Sequence, residues 1–157
     1  MKYVFILMLI VTAAAGCKKK EQQRSTDNDL PALLITTTQG NQIFTKNLSG
    51  KIILVLFQPD CDHCQREAKQ IHDKLSAFRE YEMYFISTAS SDELDKFSVA
   101  YKFNEASSVH FASTSFDNII SSFGSIDAPS VFVYSADGKL IKHFNGEVEI
   151  SRILEVL

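Results

Sequence analysis

Hydrophobic and polar positions follow a few clear patterns along the chain. Ile52–Phe57 is an unbroken apolar run closed by Gln58-Pro59-Asp60. It is too short for a globular helix and reads as a buried strand. From Cys64 the apolar positions Ala68, Ile71, Leu75 and Phe78 recur at spacings of three and four, which predicts a helix with one face on the core. Leu33–Thr37 and Ile43–Phe44 flank Thr38-Gln39-Gly40-Asn41, predicting a small hairpin that turns at Gly40-Asn41. A further strand is expected over Tyr81–Ser87. After it comes a short helix capped by Ser91-Asp92-Glu93 and carrying Leu94, Phe97 and Tyr101 on one side. Val109–Ala112 predicts a short strand. Phe116, Ile119, Ile120 and Phe123 predict a helix stopped by Gly124. Val131–Tyr134 and Leu140–Phe144 surround Ala136-Asp137-Gly138-Lys139, the strongest hairpin signal in the chain, and Ile150, Ile153, Leu154 and Leu157 form a closing helix. Strands alternating with helices, followed by a hairpin and a helix, define an α/β domain with a mixed sheet.

Ala128-Pro129 stands at the entrance to the Val131–Tyr134 strand. Proline has no N–H for a ladder, so it belongs at a strand start or in a turn. A trans bond is the ordinary expectation there, with cis as the alternative.

The N-terminus departs from this pattern. Met1-Lys2 precedes the apolar run Tyr3–Ala15, the layout of a secretory signal whose core is short for a bilayer span. It ends Ala14-Ala15-Gly16-Cys17, which resembles the bacterial lipobox, where the cysteine is lipidated and the chain is cleaved in front of it. A plain signal peptide or an N-terminal anchor helix are the alternatives. Residues 1–16 are thus expected to be a lipoprotein signal, with Cys17 the lipid attachment. Residues 17–29, polar and without period, are expected to form a flexible tether, and residues 30–157 the folded domain.

Composition narrows the function. The chain has 157 residues, enough for one domain with a real core, with 45% hydrophobic and 22% charged residues. Its net charge of −3 gives no basic excess of the kind that nucleic acid requires. Twelve Phe and no Trp are explained by core filling. An exported protein sits where disulfides persist, and lipidation of Cys17 leaves Cys61 and Cys64 as the only thiols.

Those two cysteines form C-x-x-C where a strand turns into a helix. The first helical turn presents unpaired N–H groups and the positive end of the macrodipole, both of which favour an anionic sulfur at Cys61. A protonated His63 would add to that. The thiolate is the attacking species in disulfide exchange. Cys61 is therefore expected to be the exposed nucleophile and Cys64, one turn on, the buried resolver. A structural disulfide between cysteines this close restrains the unfolded chain little. Zinc calls for a second ligand pair that the sequence lacks, and Gln65 stands where haem attachment needs a histidine. No metal or cofactor is expected. His72, His110 and His143 have no visible partners and are expected on the surface or in the core.

The strand, the C-x-x-C at a helix start, and a proline opening a later strand before an Asp-Gly hairpin together resemble the thioredoxin superfamily. The lead-in Leu48-Ser49-Gly50-Lys51, the N-terminal hairpin and residues 130–141 are similar to its membrane-anchored TlpA/ResA-type thiol–disulfide oxidoreductases. The resemblance spans about Leu30 to Leu157 and implies a thioredoxin-like mixed sheet flanked by helices, extended by an N-terminal β-hairpin. It implies that Cys61 attacks, that Cys64 resolves, and that Pro129 is the cis-proline packed against the disulfide. It also implies that Glu67 is a carboxylate near the dithiol, able to take the Cys64 proton; the plainer alternative is a solvated helix residue paired with Lys or Arg. Several positions depart from the pattern. Val55 stands where thioredoxin buries an acid, Asp60 where an aromatic precedes the first cysteine, Asp62-His63 in place of a Pro-containing pair, and Ala128 before the proline. His63 favours the reduced thiolate, while Asp60 and Asp62 oppose it, so the direction of electron flow does not follow.

The expected function is a lipid-anchored thiol–disulfide oxidoreductase of the bacterial cell envelope. Its expected partners are cysteine-containing exported proteins, for which it acts as a reductant, and a membrane or periplasmic thiol donor. Two other functions compete on the same fold. A peroxiredoxin-type thiol peroxidase needs a Thr near its cysteine, and none stands in Gln58–Gln65. A copper-delivery module generally spaces its cysteines C-x-x-x-C.

Overall fold

A computed structural model describes residues 28–157. The expected signal peptide, the expected lipid attachment at Cys17 and most of the expected tether lie outside the described residues. At the near edge, the Asp29 N–H donates to the Gly138 carbonyl at 2.8 Å and its carboxylate accepts from the Leu140 N–H at 3.0 Å. The last two residues of the expected tether, Asn28 and Asp29, are thus fastened to the domain.

Seven strands form one mixed sheet: β1 (Leu34–Thr37), β2 (Gln42–Phe44), β3 (Lys51–Leu56), β4 (Tyr81–Ser87), β5 (Val109–Ser113), β6 (Ser130–Tyr134) and β7 (Leu140–Asn145), in the order β2-β1-β5-β4-β3-β6-β7. β3 pairs parallel with β4, and β4 with β5; β6 runs antiparallel to β3, β7 to β6, and β1 to both β2 and β5. Four helices flank it: α1 (Asp62–Asp73), α2 (Ser91–Ala100), α3 (Phe116–Phe123) and α4 (Ile150–Leu154). This is the thioredoxin-like fold.

The unbroken apolar run of β3 is explained by its place in the centre of the sheet. Both faces are covered, so alternate residues enter different cores instead of alternating between core and water. Ile53 and Val55 join a layer with Cys64, Ala68 and Ile71 of α1, Leu94 and Phe97 of α2, and Ile153 of α4. Ile52, Leu54 and Leu56 face the opposite layer, with Ile119 of α3, Ile35 and Phe132. The Phe-rich composition is concentrated in the first layer. Phe57, Phe85, Phe97, Phe103 and Phe111 pack there with ring centroids between 4.8 and 6.2 Å for the pairs in contact.

Three local outcomes differ from expectation. The helix after Cys64 ends at Asp73, and Leu75 and Phe78 reach the core from a 3-10 turn over Leu75–Phe78. The cap of α2 is Ser90, one residue early: its hydroxyl accepts from the Glu93 N–H while the Glu93 carboxylate accepts from the Ser90 N–H, a capping box. The closing helix stops at Leu154. Of the histidines expected to lack partners, His110 is 2.7 Å from Glu82 and stacks on Tyr84, while His143 lies flat against Phe132 at a centroid distance of 4.0 Å.

Candidate active site

The polypeptide leaves β3 through Phe57, whose N–H still bonds to Ile86 O at 3.1 Å. Gln58 then fastens the exit to β4. Its Oε1 accepts from the Ser87 hydroxyl at 2.9 Å and its Nε2 donates to Thr88 Oγ1 at 2.8 Å. A turn closed by Cys61 N–H on Gln58 O at 3.2 Å brings Cys61 to the N-cap of α1, in extended backbone with φ −88° and ψ 117°. Its sulfur takes the place of a capping oxygen and accepts from the Cys64 N–H at 3.4 Å. An acceptor held there faces the donor-rich end of the helix, the environment that favours an anion.

The two sulfurs are unequal. Both are free thiols; Cys61 is part exposed, whereas Cys64 is only 2% exposed, inside the α1 layer. Burial pushes the Cys64 thiol well above its ordinary value, helped by its hydrogen bond with Cys61 and by the nearby charges of Cys61 and Glu67.

The Ala128-Pro129 bond is cis, correcting the ordinary trans expectation and agreeing with the resemblance. It lies against the dithiol, with Cys61 Sγ 3.8 Å from the Ala128 carbonyl oxygen that its S–H faces. Behind Pro129, the Ser130 hydroxyl donates to Asp127 O at 2.6 Å.

Glu67 is 1% exposed and has no Lys or Arg partner among the described residues, so the solvated ion-pair alternative is overturned. Its Oε1 accepts from the Val148 N–H at 3.3 Å, and its Oε2 is buried without a hydrogen bond. Burial raises the carboxyl from 4.5 to about 7, the Val148 N–H opposes that rise, and the Glu147 charge adds to it. Position 55 is a buried Val, and the buried carboxyl that acts on Cys64 comes from α1.

His63 faces a different partner from the one expected. Its Nδ1 is 2.6 Å from Glu147 Oε2 and 2.8 Å from Arg66 Nη2. A carboxylate only accepts and a guanidinium only donates, so one Nδ1 serves one of them. The carboxylate favours Nδ1–H donating to Glu147. A positive His63 would share its charge with Glu147, which weakens the support expected for a Cys61 anion. Glu147 itself was not anticipated. It lies in a segment without periodicity, and only the fold brings it to α1. Asp60 and Asp62 are exposed beside the dithiol.

Among the described residues, no three His, Cys, Asp or Glu side chains converge on a possible metal position, and no helix is long and apolar enough to cross a membrane.

A reduced cysteine pair at a helix N-terminus, on a mixed sheet beside a cis-proline, defines the class: a thioredoxin-fold protein. The chain belongs to the AhpC/TSA family, whose model matches residues 26–143. No curated protein matches it. Among solved structures it is similar to a secreted Mycobacterium tuberculosis disulfide oxidoreductase homologous to E. coli DsbE, with TM-score 0.68 and 21% identity over 83% of this chain and 99% of that one. A peroxiredoxin-like protein from Aquifex aeolicus matches with TM-score 0.66 and 13% identity, covering 80% of this chain and 81% of that one. Arabidopsis thaliana ScoI with copper bound matches with TM-score 0.64 and 12% identity, covering 80% and 94%. These proteins share the fold of this chain, and a fold alone does not fix a function.

Proposed function

We propose that the protein is a thiol–disulfide oxidoreductase of the TlpA/ResA type, acting as a reductant on exported proteins while lipid-anchored to the bacterial cell envelope through Cys17. The observation that carries the chemistry is the inequality of the two sulfurs: Cys61 part exposed at the α1 N-cap, Cys64 buried one turn behind it. The anchor rests on the sequence Ala14-Ala15-Gly16-Cys17 alone.

The steps balance as a two-electron exchange. The Cys61 thiolate attacks one sulfur of a substrate disulfide, whose other sulfur leaves as a thiolate. Cys64 then loses its proton, for which Glu67 is the acceptor: it is buried near Cys64 and its carboxyl sits near 7. The Cys64 thiolate attacks Cys61 and expels the second substrate sulfur. The substrate is reduced to two thiols and Cys61–Cys64 is oxidised to a disulfide, which an envelope thiol donor returns to the dithiol.

Turnover of a disulfide substrate by the full-length protein tests this. Cys61→Ser is expected to abolish exchange, and Cys64→Ser to accumulate a mixed disulfide visible on non-reducing gels. Full turnover by Cys61→Ser would overturn the mechanism. The family match favours thiol peroxidase as the second reading. Consumption of hydrogen peroxide at a rate exceeding disulfide exchange would install it.

A further inference from the structure

The segment Asn145–Ile150, which joins β7 to α4, touches both halves of the site. Asn145 Oδ1 accepts from the Asp127 N–H at 2.9 Å and stands 3.0 Å from Ser130 Oγ, whose one proton goes to the nearer Asp127 carbonyl, and its Nδ2 donates to Asp127 Oδ2 at 2.9 Å. The Gly146 N–H donates to the Pro129 carbonyl at 2.9 Å. These bonds fix the strap to the proline loop. The following residues fix it to the dithiol helix. Glu147 grips the Arg66 guanidinium with both oxygens, at 2.9 Å from Nε and 2.6 Å from Nη2, and takes His63 at 2.6 Å. The Val148 N–H sits on Glu67 Oε1 at 3.3 Å, and the Ile150 N–H on Gln70 Oε1 at 3.0 Å. The four partners on α1 are residues 63, 66, 67 and 70, a single i, i+3, i+4, i+7 stripe.

We propose that Glu147 is a positioning residue for the dithiol chemistry, its bidentate link to Arg66 keeping the Val148 N–H seated on the Glu67 carboxylate while Cys64 reacts. The proposal rests on the disulfide-exchange reading above. At 3.3 Å, the Val148–Glu67 bond is longer than a relaxed N–H···O contact, and it is the one hydrogen bond the Glu67 carboxylate receives among the described residues. Val148 has no side-chain polar group of its own to hold it there, and the adjacent residue does so by ion pairing. A bidentate Arg–carboxylate pair is the surface link with the most geometric definition. Arg66 and, after it, His63 hold the Glu147 carboxyl down to about 2, so the grip is charged at every pH of interest. The strap's contribution is geometric, since an exposed pair adds little stability.

Two influences of Glu147 on Glu67 have opposite signs, and this makes the proposal testable. The charged group that acts on Glu67 is Glu147 on the strap, and the Glu67 charge in turn raises the neighbouring Cys64 thiol on α1. The seated Val148 N–H lowers the carboxyl, while the Glu147 charge raises it by less. Releasing the strap moves the Glu67 midpoint up; deleting the charge with the strap in place moves it down. The experiment is a carbon-13 carboxyl titration of Glu67 in the full-length reduced protein, paired with the pH profile of Cys64 attack on a preformed mixed disulfide. Glu147→Ala is expected to move both midpoints up. A rise of about one unit takes the ionised fraction of a group with a midpoint near 7 from about one half to about one tenth at pH 7, a roughly five-fold slowing. Glu147→Gln, whose amide oxygen still accepts from Arg66, deletes the charge with the strap in place and is expected to move both midpoints slightly down. Equal downward shifts in both variants would reduce Glu147 to a nearby charge and overturn the proposal, as would midpoints that neither variant moves while the wild-type protein exchanges disulfides. Absence of exchange in the wild type would overturn the functional reading and the strap's role with it.

Discussion

Burial of Glu67 makes a quantitative statement about stability. Its carboxyl ionises near 7 in the folded protein and near 4.5 when released, because burial penalises the charge. A raised folded value means that the native state binds the proton more tightly than the unfolded chain. The stabilisation is therefore complete below about pH 4.5 and is lost as pH rises through about 7. At about 1.4 kcal/mol per pKa unit, the loss across that window is roughly 3 kcal/mol. Glu67→Gln removes the titration. Its side-chain oxygen can still accept from Val148, while its buried NH2 meets the unpartnered side of the site at a cost that does not vary with pH. The stability difference between variant and wild type is thus expected to move by roughly 3 kcal/mol in the variant's favour between pH 4.5 and pH 8. The assay is urea unfolding of both proteins, kept reduced with a phosphine, at half-unit pH steps. Groups common to both, such as His143, cancel in the difference. A difference that stays constant within about 0.5 kcal/mol, the precision of such extrapolations, would refute the burial argument.

Two further substitutions test how local structure is secured. Ser90→Ala deletes the capping box of α2 and is expected to cost about 1 kcal/mol in urea unfolding, with exchange kinetics unchanged. Gly138→Ala places a Cβ 2.5 Å from Asn28 Cβ at a backbone φ of +76°, so it is expected to cost about 1–3 kcal/mol and to weaken the Asp29–Gly138 bond. Loss of protection at the Asp29 amide in hydrogen exchange would report the second effect.

Much of the architecture was legible because burial writes itself into periodicity. The continuous run of β3, the stripe of α3 with Gly124 behind it, and the Asp137-Gly138 hairpin each announce an element whose partners do not need to be known. Ser90 was missed because Ser90-Ser91 offers two capping residues in a row, and the Glu that completes the box decides between them. Glu67 could have been placed more firmly. It lies three residues after Cys64 on the stripe that continues through Ala68 and Ile71, so its helical position points inward whatever its charge. The partner of His63 was not legible, since it stands 84 residues away in a loop without periodicity and is reached only through the order of the strands. The ordinary preference for trans proline pointed the wrong way at Pro129, where the resemblance pointed the right way.

The distances along the chain across this site bear on when its reactivity arises. Cys61 meets the Ala128 carbonyl 67 residues on, and Glu67 meets the Val148 amide 81 residues on. Contacts of such span form late, after the cost of closing long loops has been met. A chain in which these contacts have not formed lacks the proline loop beside Cys61 and the Val148 amide on Glu67, and keeps only the local cap of α1. Only the completed domain turns the two cysteines into a matched pair. Unequal alkylation of Cys61 and Cys64 is therefore expected of the folded domain alone, where only one of the two sulfurs is accessible.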